Sequence, residues 1–231
     1  MIQIFKEHSL LILLTVAGLF SFFWFLPFKN RLKMSVIKIF FVTVVLMLWG
    51  FVAARWLFPF VEVFGNIEKM ANLRLYGIIY FDAIGFYVVS KLFKTDRKLL
   101  FDICAISMVV CAICGRLDCL VKGCCYGVPF FSTSYKWPIR EIELATNLAY
   151  IAYYMPKVLK GRTNGQVYPN YMIYYGVIRF FLEFFRVEGD QIGNTIFHLA
   201  HVWSLISIAI GVTMLLIDYK NKHKKAKELT K

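Results

Sequence analysis

Several features of an exported or modular protein are missing from this sequence. The first apolar run, from Leu10 to Phe28, follows Lys6 but ends in FWFLPF without a small-residue cleavage site, so we expect it to stay as a helix. No internal repeat is visible, and no pair of broken, repeated helices of the kind found in transporters occurs. The cysteines do not form the two CxxC pairs of a common zinc site, so we expect no metal or cofactor.

Charged residues are scarce, and acidic ones scarcer still. Lys and Arg number 27 against 14 Asp and Glu, which gives a net charge of +13, while 59% of the chain is hydrophobic and its mean hydropathy is +0.62. A length of 231 residues permits one domain, and a soluble domain of that size could not bury so much apolar surface. The basic residues lie in short gaps between apolar runs, which argues against a nucleic-acid partner and favours a membrane protein.

The apolar runs predict an all-α bundle of membrane helices. A span needs roughly 20 largely apolar residues. Seven segments meet or approach this length, and six spans is the alternative because the fourth and fifth segments are short or interrupted by polar residues. The segments are 8–28, 36–60, 76–93, 99–121, 141–157, 167–186 and 198–218.

The distribution of basic residues predicts the orientation of the spans. One alternate set of gaps, at 29–33, 91–98, 157–162 and 220–231, holds 16 of the 27 lysines and arginines. The positive-inside rule then places the N-terminus outside and residues 219–231 in the cytoplasm as a basic tail, after a single membrane domain at 1–218. The opposite gaps contain Glu62, Glu68, Lys69, Arg74, Glu188 and Asp190.

Ionisable residues inside a span are costly, and the sixth span carries three. In YGVIRFFLEFFR, spacings of four and three place Arg179, Glu183 and Arg186 on one helical face. A guanidinium binds two phosphate oxygens at once, and Arg116 lies at a similar predicted depth, so an anionic phospholipid headgroup is one candidate ligand. A structural ion pair with snorkelling near the helix end is the other interpretation.

All six cysteines fall within 22 residues. Cys104, Cys111 and Cys114 lie in an apolar helix, where cysteine behaves as a small hydrophobe. The other three are candidates for a nucleophile, a disulfide or metal ligands, because they lie in a glycine-bounded stretch near two basic side chains. These are Cys119, Cys124 and Cys125, framed by Gly115, Gly123 and Gly127 and close to Arg116 and Lys122.

Two histidines and one aspartate complete the set of notable residues. His198 and His201 are three apart at the start of the last span, and either is a candidate general base at neutral pH. A zinc ion would need one of them to complete its ligands. Asp82 lies deep in the third span with no evident partner in the sequence.

From about residue 74 to 205 the chain resembles the prolipoprotein diacylglyceryl transferase family. That family's YGxxRFxxExxR pattern is met in full, and its glycine-rich signature is matched at both ends by Gly115-Arg116 and Gly127. Pro138 to Glu143 and Gly165-Gln166-Val167 are further similarities. The residues that meet the YGxxRFxxExxR pattern are Tyr175, Gly176, Arg179, Phe180, Glu183 and Arg186.

The chain departs from the family in two places. The family's Asn and Glu in the glycine-rich segment become Cys119 and Cys124, and its His-Gly-Gly motif is replaced by Leu75-Tyr76-Gly77-Ile78. A branch of the family with Cys-Cys-Tyr-Gly and a Tyr at that His position is similar to this chain.

The resemblance implies an enzyme of a bacterial cell membrane that transfers a diacylglyceryl group from phosphatidylglycerol to the thiol of a lipobox cysteine in a secreted prolipoprotein. It implies that Arg116 and Arg179 hold the phosphate and that Tyr76 positions or deprotonates the acceptor. Glycines 115 and 127, Tyr175, Glu183 and Arg186 would contribute to substrate binding or support the arginines. The alternatives are a lipid-modifying transferase with another acceptor and a cysteine relay, or a non-catalytic binding or assembly protein on the same scaffold.

Overall fold

Helices dominate the computed structural model, which describes residues 2–59, 75–129, 134–187 and 196–229. In this part of the chain a 3-10 turn at Leu26–Phe28 joins the first two α-helices, a π-helical segment at Ala53–Leu57 extends the third, and no β-strand forms. The all-α prediction is therefore confirmed. The α-helices are α1 (Ile2–Phe25), α2 (Lys29–Leu32), α3 (Val36–Val52), α4 (Leu75–Leu92), α5 (Arg97–Lys122), α6 (Ile139–Leu159), α7 (Val167–Glu183) and α8 (Leu199–Leu229).

Five helical segments of the described chain are long and apolar enough to cross a membrane. They are His8–Leu32, Val36–Leu57, Leu75–Leu92, Arg97–Lys122 and Leu199–Lys224. The predicted membrane class is confirmed. Helices α6 and α7 coincide with the fifth and sixth predicted spans but do not meet the same standard, α7 having only 17 residues. The count of seven stays a prediction.

The predicted orientation also stays a prediction. Six charged residues on which it partly depends, Glu62, Glu68, Lys69, Arg74, Glu188 and Asp190, lie outside the described residues.

Local sequence explains where the best-defined helices begin and end. Ser35 precedes α3 and its hydroxyl accepts a hydrogen bond from the Lys38 amide at 3.3 Å. Asp96 does the same for α5, accepting from the amides of Lys98 at 2.9 Å and Leu99 at 3.4 Å. These side chains satisfy amides that have no partner within the helix. Helix α5 ends where Gly123 takes a left-handed conformation, with φ of 68°.

The chain groups into two compact units. Unit 1 comprises Met1–Gly123 and Leu144–Gly165, and unit 2 comprises Cys124–Glu143 and Gln166–Lys231. The division falls within α6, which contributes its first residues to unit 2 and the remainder to unit 1. The single-domain assignment of residues 1–218 stays a prediction.

In unit 1, α1 packs along α5, and α3 and α4 pack against them and against each other. Apolar side chains such as Phe25, Ile39, Ile79 and Ile103 are fully or almost fully buried between these helices. Hydrogen bonds also join these helices. For example, the indole of Trp24 on α1 donates to the Ile103 carbonyl on α5 at 3.1 Å.

In unit 2, α7 and α8 form the main packed pair. A Cβ atom at Gly176 would lie 2.8 Å from the Ser204 carbonyl oxygen, so only glycine permits this approach of the two helices. The Ser207 hydroxyl adds a hydrogen bond across the pair, to the Met172 carbonyl at 2.9 Å. This close pair carries the charged residues of the YGVIRFFLEFFR segment.

Candidate active site

Arg179 lies between two buried carboxylates in unit 2. Its Nη1 is 2.8 Å from Oε1 of Glu143 at the start of α6, and its Nη2 is 2.6 Å from Oε2 of Glu183, one turn further along α7. Glu143 is fully buried, Glu183 is 1% exposed and Arg179 is 5% exposed. Both ends of the guanidinium fork are therefore fixed by charge-assisted contacts away from water.

Glu183 is the centre of a larger cluster. Its Oε1 lies 3.4 Å from Nδ1 of His198, at the start of α8, and its Oε2 lies 3.9 Å from Nη1 of Arg186. The five residues Glu143, Arg179, Glu183, Arg186 and His198 are here called the Arg179 cluster. They come from α6, from α7 and the turn that follows it, and from the residue before α8. With His198 neutral, the two carboxylates balance the two guanidinium groups, and protonation of His198 gives the cluster a net charge of +1.

A buried ion pair is stable only when its geometry and hydrogen bonds compensate for the lost solvation of both charges. Here α7 supplies Arg179 and Glu183 at a spacing of four, and α8 packs closely on α7.

The sequence predicted that Arg179, Glu183 and Arg186 lie on one helical face. It did not identify Glu143 as the second carboxylate. The signal was there, since Glu143 is an acidic residue one turn into an otherwise largely apolar helix, where it needs a partner.

The two histidines have different surroundings. The ring Nδ1 of His201 accepts a hydrogen bond from the His198 amide at 2.9 Å, which is the reciprocal contact of a helix capping box. The same ring packs against the rings of Phe180, Phe184 and Phe197, at centroid distances of 4.4–5.4 Å. His201 thus caps the start of α8, whereas Nδ1 of His198 faces the carboxylate of Glu183.

The cysteine segment enters unit 2 at Cys124. Cys125 has a left-handed backbone, with φ of 58°, and its Sγ lies 3.7 Å from Nη2 of Arg186. Cys124 is exposed, and its carbonyl accepts a hydrogen bond from Nη1 of Arg140 at 3.0 Å. None of the six cysteines, all of which the structure describes, forms a disulfide, and Cys104 and Cys114 are buried.

Gly127 and Tyr175 support the backbone around the cluster. A Cβ atom at Gly127 would lie 2.5 Å from Cβ of Trp137 and 2.9 Å from the Phe185 carbonyl oxygen. The Val128 amide donates to that same carbonyl at 2.8 Å, so this glycine lets the loop pair with the end of α7. Tyr175 is buried one turn before Arg179 and stacks on Tyr171.

The remaining predicted site residues belong to unit 1. Gly115, Arg116 and Cys119 lie in the last two turns of α5, with Arg116 half-buried. No heavy atom of the described residues lies within 4 Å of a Cβ atom built at Gly115, so open space adjoins this glycine. Tyr76, near the start of α4, is buried and stacks on Tyr80. A shared site of these residues with the Arg179 cluster stays a prediction.

Sequence reasoning passed over Asp118, two residues after Arg116. Its carboxylate accepts a hydrogen bond from the Ser9 hydroxyl at 2.5 Å and pairs with Nζ of Lys122 at 2.8 Å. It links α1 to the end of α5 on which Arg116 lies. The spacing of four between Asp118 and Lys122 was the available signal.

The chain is similar in sequence to known proteins over most of its length. A family model described as prolipoprotein diacylglyceryl transferase matches residues 8–217. A phosphatidylglycerol–prolipoprotein diacylglyceryl transferase of Clostridium tetani is 27% identical over 202 residues, covering 78% of this chain and 80% of that protein. A protein of the same name from Clostridium perfringens, numbered 2 there, is 28% identical and covers 71% of this chain and 66% of its own length. Another from Finegoldia magna is 30% identical and covers 65% of this chain and 62% of its own length.

Proposed function

The chain belongs to the prolipoprotein diacylglyceryl transferase family, and on that premise we propose that it transfers a diacylglyceryl group from phosphatidylglycerol to the cysteine thiol of a prolipoprotein lipobox. The observation that supports this most strongly is the buried Arg179 cluster, in which a fixed guanidinium, two carboxylates and a histidine lie within contact distance.

The proposed reaction moves negative charge onto a phosphate. The acceptor thiol loses its proton, its sulfur forms a bond to the glyceryl carbon, and the bond between that carbon and the phosphate oxygen breaks. Glycerol phosphate leaves with the electron pair. A diester with one negative charge thereby becomes a monoester with two, so the site must supply positive charge as the carbon–oxygen bond breaks.

The Arg179 cluster suits this requirement. If His198 takes the thiol proton, the cluster changes from neutral to +1 at the step in which the leaving phosphate gains its second negative charge. Glu183 then stabilises the protonated imidazole from 3.4 Å, as the buried carboxylate does in a serine-protease triad. Arg179 and Arg186 supply fixed guanidinium groups with no need to reorganise. The proton passes afterwards from His198 to the released phosphate.

Residues of unit 1 complete the proposal. Arg116 would bind a phosphate oxygen of the headgroup, and the open space at Gly115 would admit the lipid close to the α5 backbone. Tyr76 would position the acceptor cysteine through its hydroxyl, since a phenol with a pKa of about 10 is a weak base at neutral pH.

A covalent relay through Cys124 or Cys125 fits the chemistry poorly. Transfer to either thiol would make a thioether, and a second thiol would then have to displace a thiolate from saturated carbon, where a phosphate is a much better leaving group. We propose instead that Cys125 fixes Arg186 through their 3.7 Å contact. A different acceptor or a non-catalytic role would appear as failure of the assay described below.

We further propose that the protein spans a bacterial cell membrane seven times, with its N-terminus outside and its basic tail in the cytoplasm. The excess of Lys and Arg in one set of gaps supports this orientation. It would place the start of α6, the end of α7 and the start of α8 at the outer face, where secreted prolipoproteins arrive.

The test is transfer by purified protein in lipid nanodiscs, using phosphatidylglycerol labelled in its acyl chains and a peptide with a lipobox cysteine. We expect the parent protein to label the peptide, and Arg179→Ala to abolish labelling because Glu143 and Glu183 lose their shared cation. Glu141→Gln serves as the matched control, since its side chain is 44% exposed and outside the cluster. Absence of labelling by a folded parent protein would refute the proposal.

A further inference from the structure

Unit 1 contains a small cavity that is lined by both apolar and polar side chains. It has a volume of about 40 Å³ and lies between α1, α3, α4 and α5. Apolar side chains form part of the wall, but each of the four helices also contributes at least one hydroxyl, carboxyl or thiol group. Those groups are Ser21, Thr43, Asp82, Ser107, Cys104 and Cys111.

Asp82 is the one carboxyl group on this wall. It is 7% exposed, and its Oδ1 has no hydrogen-bond partner. It is the eighth residue of the 18-residue α4, so it lies near the middle of a predicted span. A Cβ atom at Gly50 would be 3.1 Å from Oδ1 and 3.2 Å from Oδ2, so the missing side chain at Gly50 makes room for the carboxyl group.

The neighbouring hydroxyls are placed to accept hydrogen bonds. Ser21 donates to the Ala17 carbonyl at 2.8 Å and Thr43 donates to the Ile39 carbonyl at 2.9 Å, so each has used its single proton and keeps its lone pairs. Ser107 Oγ has no hydrogen-bond partner. Ser21 and Thr43 therefore offer only acceptors to the cavity, and these match the donors that a carboxylic acid and a water molecule supply and a carboxylate does not.

Charge leads to the same conclusion. None of the residues that line the cavity is Lys, Arg or His, and the titratable groups facing Asp82 are the thiols of Cys104 and Cys111. A carboxylate with no cation beside it at mid-membrane depth is strongly disfavoured relative to its neutral form. The volume exceeds the roughly 10–15 Å³ that one water molecule needs.

We propose that this cavity is a binding site for one water molecule, held by an Asp82 side chain that stays a carboxylic acid at neutral pH. The acid O–H donates to the water, and the water donates to the hydroxyl oxygens of the wall. The site joins α1, α3, α4 and α5 through hydrogen bonds without placing a charge in the hydrocarbon. It lies apart from every residue assigned to transfer.

The test is infrared difference spectroscopy of the purified protein in nanodiscs at neutral pH. Asp82→Asn should remove a carboxylic-acid carbonyl band that shifts on exchange into deuterated water, and should leave the unfolding temperature and transfer activity unchanged. Ser107→Ala should shift that band, whereas Thr213→Val, which removes a hydroxyl that does not line the cavity, should not. Asp118→Asn is the matched control, and should remove a carboxylate band because Asp118 is paired with Lys122.

Two results would overturn the proposal. In the first, the parent protein lacks the acid band or Asp82→Asn leaves it unchanged. In the second, replacing choline chloride by sodium chloride at equal ionic strength raises the unfolding temperature of the parent but not of Asp82→Asn, which would make the cavity a site for an alkali cation.

Discussion

Glu143 offers the sharpest perturbation of the Arg179 cluster. Glu143→Gln keeps an oxygen within reach of Nη1 of Arg179 but removes the charge. Because Arg179 keeps its charge, the remaining contact is still a hydrogen bond to a charged group, which contributes about 1.5–3 kcal/mol, so loss of the carboxylate charge should cost only about 1 kcal/mol. Glu143→Ala removes the contact altogether and should cost about 3 kcal/mol, the lower end for breaking a buried ion pair, because Glu183 still holds the guanidinium.

These energies translate into activity if the cluster stabilises the transition state. At 1.36 kcal/mol per tenfold change, kcat/KM for peptide labelling should fall about fivefold in Glu143→Gln and at least about 100-fold in Glu143→Ala. Glu141→Gln alters an exposed pair with Arg140 on the same helix, worth about 0–1 kcal/mol, and should change the rate less than either. Equal rates in Glu143→Ala and the parent protein, or an equal loss in Glu141→Gln, would refute the reasoning.

Three further predictions concern single residues of the site. His198→Gln should lower kcat, whereas His201→Ala should mainly lower the unfolding temperature, by the loss of a helix cap worth about 0.5–2 kcal/mol; kcat and thermal unfolding of both variants check this. Gly176→Val should lower the unfolding temperature because its side chain would clash at the α7–α8 contact. Gly115→Ala should unfold at the parental temperature, and a rise in its KM for phosphatidylglycerol would indicate that the lipid approaches this glycine closely. Cys125→Ser should retain more than a tenth of the parental labelling rate, since its thiol positions Arg186; complete loss would restore the covalent relay.

Much of the fold follows from the sequence because membrane helices are set by length and apolarity. The structure places a helix on each of the seven predicted apolar segments, and Ser35, Asp96 and Gly123 mark their ends with ordinary capping chemistry. The π-helical extension of α3 has no such local signal. The grouping of the helices into two units also depends on contacts between distant parts of the chain, which periodicity does not reveal.

The site shows the same division between local and long-range information. Arg179 and Glu183 share α7, so their spacing alone predicted that they face one way, whereas Arg186 lies three residues beyond the end of this helix and still approaches Glu183. Glu143 is 36 residues from its partner, and the pairing became visible only when α6 and α7 were placed together. The sequence did not distinguish the two histidines. In the structure they differ, because His201 lies three residues after His198 at a helix start and its ring accepts a hydrogen bond from the His198 amide.

The central claim is transfer of a whole diacylglyceryl group to a thiol, and the mass balance of the reaction tests it most directly. Parent protein, phosphatidylglycerol and a lipobox peptide should yield a peptide heavier by one diacylglyceryl group, stable to thioester cleavage by hydroxylamine, and an equal amount of glycerol phosphate. A peptide with its cysteine replaced by serine should gain no mass. Glycerol phosphate release without peptide modification, or a peptide carrying only an acyl chain, would contradict the account.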